Sequence, residues 1–192
     1  MRVLVACEFS GVVRDAFAAR GHDAWSCDLL PTESPGNHVE GDVSDQPEGW
    51  LESFDLLIAH PPCTHLSVSG ARWFKEKKQE QADALDFVRW FMAAPVPRIA
   101  IENPVSVISS KVRKPEQIIQ PYQFGHQESK AVCLWLTRLP PLVHTGLESV
   151  REHRVHKLPP GPDRWKERSR FFPGIAEAMA RQWGDRFSKE QA

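Results

Sequence analysis

Two prolines and a cysteine, Pro61-Pro62-Cys63, follow the apolar run Phe54–Ala59. Further on, Glu102-Asn103-Pro104 follows a second apolar run, Arg98–Ile101. Proline fixes its own φ and keeps the preceding residue out of the helical region, so the proline pair dictates a stiff, extended exit from a strand. A thiol carried on such an exit stands at a set height above the strand end, which suits a nucleophile better than a core residue. A carboxyl group that ends an apolar strand is partly desolvated, which favours its neutral form and suits it to donate a proton. Cys63 and Glu102 on neighbouring strands would together suit addition of sulfur to an unsaturated ring, with the carboxyl group bonded to a ring nitrogen. Asp28 and Asp42 also fall at strand ends, where carboxylates commonly take ribose hydroxyls or an adenine amine. The turn Phe9-Ser10-Gly11 is a weaker signal, since it lacks the full glycine-rich dinucleotide pattern. Cys7, Cys27 and Cys133 lie in or beside apolar runs and read as core residues.

The elements that must position these groups are legible from periodicity. Arg2–Ala6 reads as a buried strand. Val12, Val13, Ala16, Phe17 and Arg20 recur at helical spacing before Gly21. His22–Cys27 is a second strand ending at Asp28, His38–Glu40 a short third, Phe54–Ala59 a fourth and Arg98–Ile101 a fifth. The spacing predicts a helix over Glu76–Met92, with Ala82, Leu85, Val88 and Phe91 on one face. Strands alternating with helices predict an α/β fold, a doubly wound Rossmann-like parallel sheet whose ligands sit beyond the carboxyl ends of the strands. Residues 118–119 and 131–136 look like two more strands, joined by a polar turn around Gly125–Glu128. A basic loop region spans about 139–170, and a closing helix is expected over Gly174–Phe187, with Ile175, Met179, Gln182 and Trp183 along one side. Trp90 and Trp183, at helical spacings, read as core.

Composition bounds the function classes. A chain of 192 residues fits a single domain. With 24 Lys and Arg against 25 Asp and Glu it is no polycation, and 41% hydrophobic residues argue against disorder. The apolar stretch Phe91–Val96 contains Pro95 and is far short of the ~20 residues of a spanning helix. The opening run stops at Glu8, too early for a signal peptide. These features predict a soluble, intracellular (cytoplasmic) protein. The four cysteines form no Cys-x-x-Cys pair and no cluster with histidine, so no metal is expected.

The order Phe9-Ser-Gly11, Asp28, Gly41-Asp42, Pro61-Pro62-Cys63, Glu102-Asn103 resembles the cytosine-5 DNA methyltransferases. It is most similar to the short versions of bacteriophages and prophages, with Pro-Pro-Cys-Thr-x-Leu, Glu-Asn-Pro and a closing Phe-Pro-Gly-Ile-Ala-x-Ala-Met-Ala-x-Gln-Trp-Gly. The resemblance spans Val3 to Gly184. It implies a bacterial-host cytoplasmic enzyme that uses S-adenosylmethionine as cofactor and acts on DNA. Cys63 would attack carbon 6 of cytosine, Glu102 would pair with ring nitrogen 3 and the amino group, and carbon 5 would take the methyl. Phe9, Gly11 and Pro61 would line the cofactor cleft, with Asp28 on the ribose and Asp42 on the adenine. The target base would have to leave its stack to meet Cys63, and His65–Lys78 would be the loop that closes over it.

Three departures from the family pattern carry consequences. The usual Asp-x-Phe-x-Gly-x-Gly turn is here Cys7-Glu-Phe-Ser-Gly-Val-Val13. The paired-arginine strand is replaced by Ser129-Lys-Ala-Val-Cys-Leu-Trp135, leaving Lys130 as the candidate for that catalytic duty. Between Leu136 and Arg168 there are 31 residues, too few for a large target-recognition domain, which implies low or short sequence specificity. DNA contacts are expected from two places. Arg151–Arg170 holds seven Lys or Arg against three acids, with Arg154, Arg164, Trp165, Lys166 and Arg168 as the candidate residues. Arg72-Trp73-Phe74-Lys75 follows the nucleophile, with Arg72 and Lys75 the candidate cations. The sequence leaves open a free cytosine nucleotide or RNA as substrate, a non-catalytic nucleic-acid-binding role on the same fold, and a homodimer.

Overall fold

A strand covered on both faces has no position for a polar side chain. Val3–Ala6 and Leu56–Ala59 meet that demand, all eight being fully buried. They lie in the two central strands, β1 (Arg2–Ala6) and β4 (Leu56–Ala59), of a seven-stranded sheet. The structure, a computed structural model, describes residues 1–146, 152, 159, 161 and 164–185. The sheet order is β3-β2-β1-β4-β5-β7-β6, with β2 at Asp23–Asp28, β3 at Asn37–Glu40, β5 at Arg98–Pro104, β6 at Gln117–Ile119 and β7 at Val132–Thr137. From β1 the chain winds outward to β3, then returns to β4 on the other side of β1. The switch point, where such sheets open a crevice, therefore falls between β1 and β4.

Side chains alternate across the sheet and fill two cores. On one face Val3, Val5, Leu56 and Ile58 pack with Val13 and Phe17 of α1 (Val12–Ala18), and with residues near the C-terminus, Ile175, Met179 and Trp183. On the other, Leu4, Ala6, Leu57, Ala59 and Trp135 pack with Leu85, Val88 and Phe91 of α2 (Lys78–Met92). Each large apolar side chain buried this way stabilises the fold by roughly 1.5–3 kcal/mol before entropy is subtracted. A single turn of helix, α3 (Ile108–Lys111), follows β5. Gly21 (φ 79°) follows α1 in the left-handed conformation expected of a helix-closing glycine.

The α/β, doubly wound architecture is the one expected, with four corrections. First, the sheet is not wholly parallel. The chain leaves a gap between β5 and β6 and then doubles back, so β7 fills the gap antiparallel to both neighbours. Second, β5 does not stop at Ile101. Pairing with β7 carries it through Glu102, opposite Leu134, and Asn103, opposite Cys133, to Pro104. Third, α2 begins at Lys78, and Ala82 is exposed while Leu85, Val88 and Phe91 are buried. Fourth, a helix, α4 (Arg164–Ser169), forms within the stretch expected to be a basic loop, and the closing helix is α5 (Pro173–Met179), which runs into a widened π turn over Ala180–Gly184. That turn carries buried Trp183, whose Nε1 donates to the Pro140 carbonyl. Phe187 and most of 147–163 lie outside the described residues.

The start of α5 is held by an imidazole. The backbone N–H of Gly174 donates to His126 Nε2 at 2.8 Å, and a Cβ on Gly174 would overlap the Phe124 carbonyl oxygen. His126 must be neutral to accept, and burial lowers its pKa, opposed by the charge of Glu177. A histidine whose folded pKa is depressed contributes stability that is present above its unfolded pKa of about 6.5 and is lost as pH falls through the folded value. Urea midpoints are therefore expected to drop between pH 7.5 and 5. His126→Gln, whose amide oxygen can still accept, is expected to flatten part of that slope. His22, whose pKa is also lowered by burial, contributes in the same direction.

Candidate active site

The carboxyl ends of β1, β2, β4 and β5 meet at one rim, and the chain takes a strained path out of the first. Cys7 adopts φ 58°, a left-handed conformation costly for a residue with a Cβ, while its N–H donates to the Cys27 carbonyl at 2.7 Å. This turn buries Glu8, whose carboxylate accepts the N–H groups of Val13 at 2.6 Å and Arg14 at 3.1 Å. Burial raises the Glu8 pKa, opposed by the nearby His60 ring and by those two donors. Phe9 is buried next to it.

Arg14 is the least expected residue of this region. Its side chain is almost fully buried and is satisfied by five partners: Asp15, Ser26, Thr32 and the carbonyls of Ser34 and Pro35. It thereby ties the β2–β3 connection to α1. A Cβ on Gly11 (φ 76°) would stand 2.5 Å from Arg14 Nη2, and one on Gly36 would stand 2.8 Å from its guanidinium carbon. The space that Gly11 leaves is taken by this guanidinium. The sequence offered no signal for it beyond a charged residue on a helix otherwise read for its apolar spacing.

Asp28 ends β2 half-buried. Desolvation raises its pKa against the N–H groups of Leu30 and Leu29 and the charge of His38. Leu29 beside it is 69% exposed, an apolar surface just past the end of β2. Asp42 caps the short turn after β3 by accepting from the Ser44 N–H at 2.8 Å and the Ser44 hydroxyl at 2.7 Å, which lowers its pKa. It therefore carries a local capping duty as well as its place on the rim.

Cys63 follows β4 and Glu102 lies on the adjacent β5, close enough for the charge of Glu102 to act on the thiol, and neighbouring bonds hold the two segments. Buried Asn103 donates to the Pro61 carbonyl at 2.8 Å, fastening the proline pair to β5. Past Cys63 the chain turns back, with the N–H groups of Leu66 and Ser67 both donating to the Cys63 carbonyl. The turn is then laced to the segment after β5 by Val68 N–H to Val105 and Val107 N–H to Leu66. Cys63 is exposed, whereas Cys27 and Cys133 are buried with thiols pushed up to about 11. Cys7 is only half-buried, its thiol lifted well above the ordinary range by desolvation. The Cys63 thiol is also raised, first by desolvation and then by Glu102. Lys130 and Arg168 oppose that shift and support its thiolate.

The residue the sequence reading passed over is His60. Register places Ala59 beside Ile101, so His60 falls beside Glu102, and its Nδ1 lies 3.1 Å from Glu102 Oε2. The imidazole packs on the Phe171 ring, centroids 4.8 Å apart. The only sequence signal was a polar residue between an apolar strand and two prolines.

The cations are distributed differently from the expected basic surface. Lys130 Nζ donates to the Arg168 carbonyl at 2.9 Å, so its amine helps hold α4. Lys166 pairs with Glu33 at 2.9 Å and lies 5.3 Å over the Phe9 ring, and Arg170 also pairs with Glu33. Lys166 thus faces the Phe9 turn and Glu33. The reason is tertiary: α4 folds back across the rim and meets the β2–β3 connection. Arg164 and Arg168 are half-buried on α4, and of Trp165 only the backbone is described. Arg154 lies outside the described residues. Arg72 and Lys75 are exposed on and just beyond the 3-10 stretch Val68–Trp73, and Arg72 lies 5.0 Å over the ring of Trp73, itself 48% exposed. Among the described residues no three His, Cys, Asp or Glu gather as a metal site would, and no helix is long and apolar enough to cross a membrane.

No family model matches the chain, and no curated protein sequence does. Solved structures do match. One is an E. coli prophage-encoded protein described as a candidate DNA modification methyltransferase. It aligns over 83% of this chain and 55% of its own, with a TM-score of 0.52 and 12% identity. Another is an rRNA methylase from Escherichia coli, at TM-score 0.39 and 15% identity over 69% of this chain and 55% of that one. This chain spans about half the length of each. The first likeness is one of fold, and the chemistry has to be argued from the rim itself.

Proposed function

We propose that this chain is an S-adenosylmethionine-dependent DNA methyltransferase acting on carbon 5 of cytosine through a covalent adduct on Cys63. The observation that carries the reading is the rim of β4 and β5. There an exposed thiol on a proline-stiffened, laced turn stands beside a carboxyl group held by a neighbouring side chain. In this reading the Cys63 thiol gives its proton to solvent water, the thiolate forms the bond to carbon 6, the double bond to carbon 5 opens, and Glu102 gives its proton to nitrogen 3. Carbon 5, now electron-rich, is the methyl acceptor. A solvent water then takes the carbon 5 proton, the electrons of that C–H bond re-form the ring double bond as the Cys63 thiolate leaves carbon 6, and nitrogen 3 returns its proton to Glu102. Lys130 and Arg168 support the thiolate electrostatically.

The crevice at the switch point fits the cofactor by its chemistry. Asp28, lifted by desolvation, gains from paired hydroxyl donors such as those of a ribose. Leu29 offers exposed apolar surface beside it, and Asp42 is an acceptor on the next strand end. The first N–H groups of α1 are spent on Glu8, so a cofactor carboxylate would have to meet a cation elsewhere, and Lys166 over Phe9 is placed for it. When bound, S-adenosylmethionine supplies an electrophilic methyl group. Phe9, Gly11 and Pro61 keep their cofactor-binding roles as sequence-based candidates. Asp28→Asn keeps an oxygen for the Leu30 N–H but loses the charge, so it is expected to weaken S-adenosylmethionine binding roughly 10-fold, measured by calorimetry.

DNA is the proposed substrate, with Arg72, Lys75 and the α4 cations Arg164 and Arg168 as phosphate contacts. Arg154 and Trp165 keep that role as sequence-based candidates. A bacterial cytoplasm is the proposed setting. Mass spectrometry of nucleosides from DNA, RNA and free cytidine nucleotides incubated with the protein and S-adenosylmethionine tests the reading. 5-Methylcytosine in DNA supports it, and methyl found only in RNA or nucleotides reassigns the substrate. Methyl on the amino nitrogen, or no product, overturns it.

A further inference from the structure

His60 has a part in this chemistry, and we infer that it is the positioning residue for Glu102. In this role its Nδ1–H is donated to Oε2, leaving Oε1 to face the target ring and stabilising the carboxylate left when Oε1 gives its proton to nitrogen 3. The inference rests on the carbon-5 reading above.

Four observations carry it. The Nδ1···Oε2 distance of 3.1 Å is that of a hydrogen bond, and with the acid proton on Oε1 the Oε2 atom can only accept, so in this role Nδ1 holds the hydrogen. Parallel register between β4 and β5 fixes the two residues side by side at the strand ends, so the contact does not depend on a mobile loop. Both side chains are largely shielded, at 12% and 14% exposure, where a hydrogen bond to a carboxylate is worth more than in water. The imidazole is set in place from behind by the Phe171 ring. His60 Nε2 is buried without a partner among the described residues, and Glu8 and Asp28 are the carboxylates whose charges the ring feels from β1 and β2. Cys63 and Cys133 are the thiols that feel the charge of Glu102.

The proton step balances within these groups. The Oε1–H bond of Glu102 breaks as the N–H bond at nitrogen 3 forms and the Cys63 thiolate, its proton already passed to solvent water, bonds carbon 6. His60 keeps its hydrogen and its bond to Oε2 shortens as charge grows there. A packing role and a positioning role predict opposite rankings of two substitutions. His60→Asn places an amide N–H near the position of Nδ1 but abandons the aromatic contact. His60→Phe keeps the contact with Phe171 but removes the donor.

The test measures single-turnover 5-methylcytosine formation by the full chain with both variants, alone and with Glu102→Gln. Positioning predicts that His60→Asn stays within a few-fold of wild type. His60→Phe should lose on the order of 10- to 100-fold, the worth of a hydrogen bond to a charged group. With Glu102→Gln already present, His60→Phe should cost no further rate. The reverse ranking, or an undiminished cost beside Glu102→Gln, overturns the inference. Nitrogen-15 spectra of the histidine side chains give a second readout independent of turnover. A ring whose signals vanish in both His60 variants should show a protonated Nδ1 that responds to Glu102→Gln, and a bare Nδ1 overturns the assignment. If wild type makes no 5-methylcytosine, the carbon-5 reading fails, and the hydrogen bond is then judged on these spectra alone.

Discussion

DNA carrying fluorine at carbon 5 of cytosine is expected to remain covalently bound to the wild-type protein in the presence of S-adenosylmethionine, and not to bind Cys63→Ala this way. Once sulfur has added to carbon 6, release of the thiol requires carbon 5 to lose its substituent without the bonding electrons. Hydrogen can leave as a proton and fluorine cannot, so the adduct persists and shows the summed mass of protein and DNA. The thiol is placed for this by three independent constraints: the stiff proline exit, the Asn103 bond to Pro61 and the lacing of Leu66 and Val68 to the segment after β5. With the thiol removed, turnover of ordinary DNA is expected to fall by about 10⁴-fold or more, as for removal of other enzymic nucleophiles. Because Cys63 is exposed, the same substitution should change stability by less than about 0.5 kcal/mol. An adduct formed equally by Cys63→Ala, or none formed by wild type, would sink the mechanism.

Glu102→Gln is expected to slow the chemical step by about 10²- to 10⁴-fold, the usual worth of a general acid, while leaving S-adenosylmethionine affinity unchanged. The amide is nearly isosteric, its oxygen can accept from His60 Nδ1, and β5 keeps its pairing with β7 through Leu134. What it loses is the proton for nitrogen 3. Single-turnover rates measure the slowing, and calorimetry reports the cofactor. Equal losses in both would place Glu102 in cofactor binding instead, contrary to its position on β5, with β1 and β4 between it and Asp28 on β2.

Much of this arrangement was legible before the chain was folded in space. Apolar runs of four to six residues, closed by Asp28, by Pro61-Pro62 and by Glu102-Asn103, announced the strands and what each would present. Those features depend on neighbours along the chain: proline sterics, side-chain period and helix-closing glycine at Gly21. The end of β5 was misread because Glu102 and Asn103 look like a strand terminus by type, and they are kept in the strand by pairing with a later segment.

The sequence by itself determined the winding of the sheet, the exit that carries Cys63 and the identity of the groups at the strand ends. Only the tertiary structure decided that β7 would run antiparallel and that Arg14 would fill the space beside Gly11. It also decided that His60 would meet Glu102, that Asn103 would hold Pro61 and that Arg170 and Lys166 would close on Glu33 over Phe9. The physical reason is separation: His60 and Glu102 are 42 residues apart, as are Pro61 and Asn103, while Glu33 and Arg170 are 137 apart. No local preference encodes such meetings, which exist only once strand register and the return of α4 across the rim have set one segment against another.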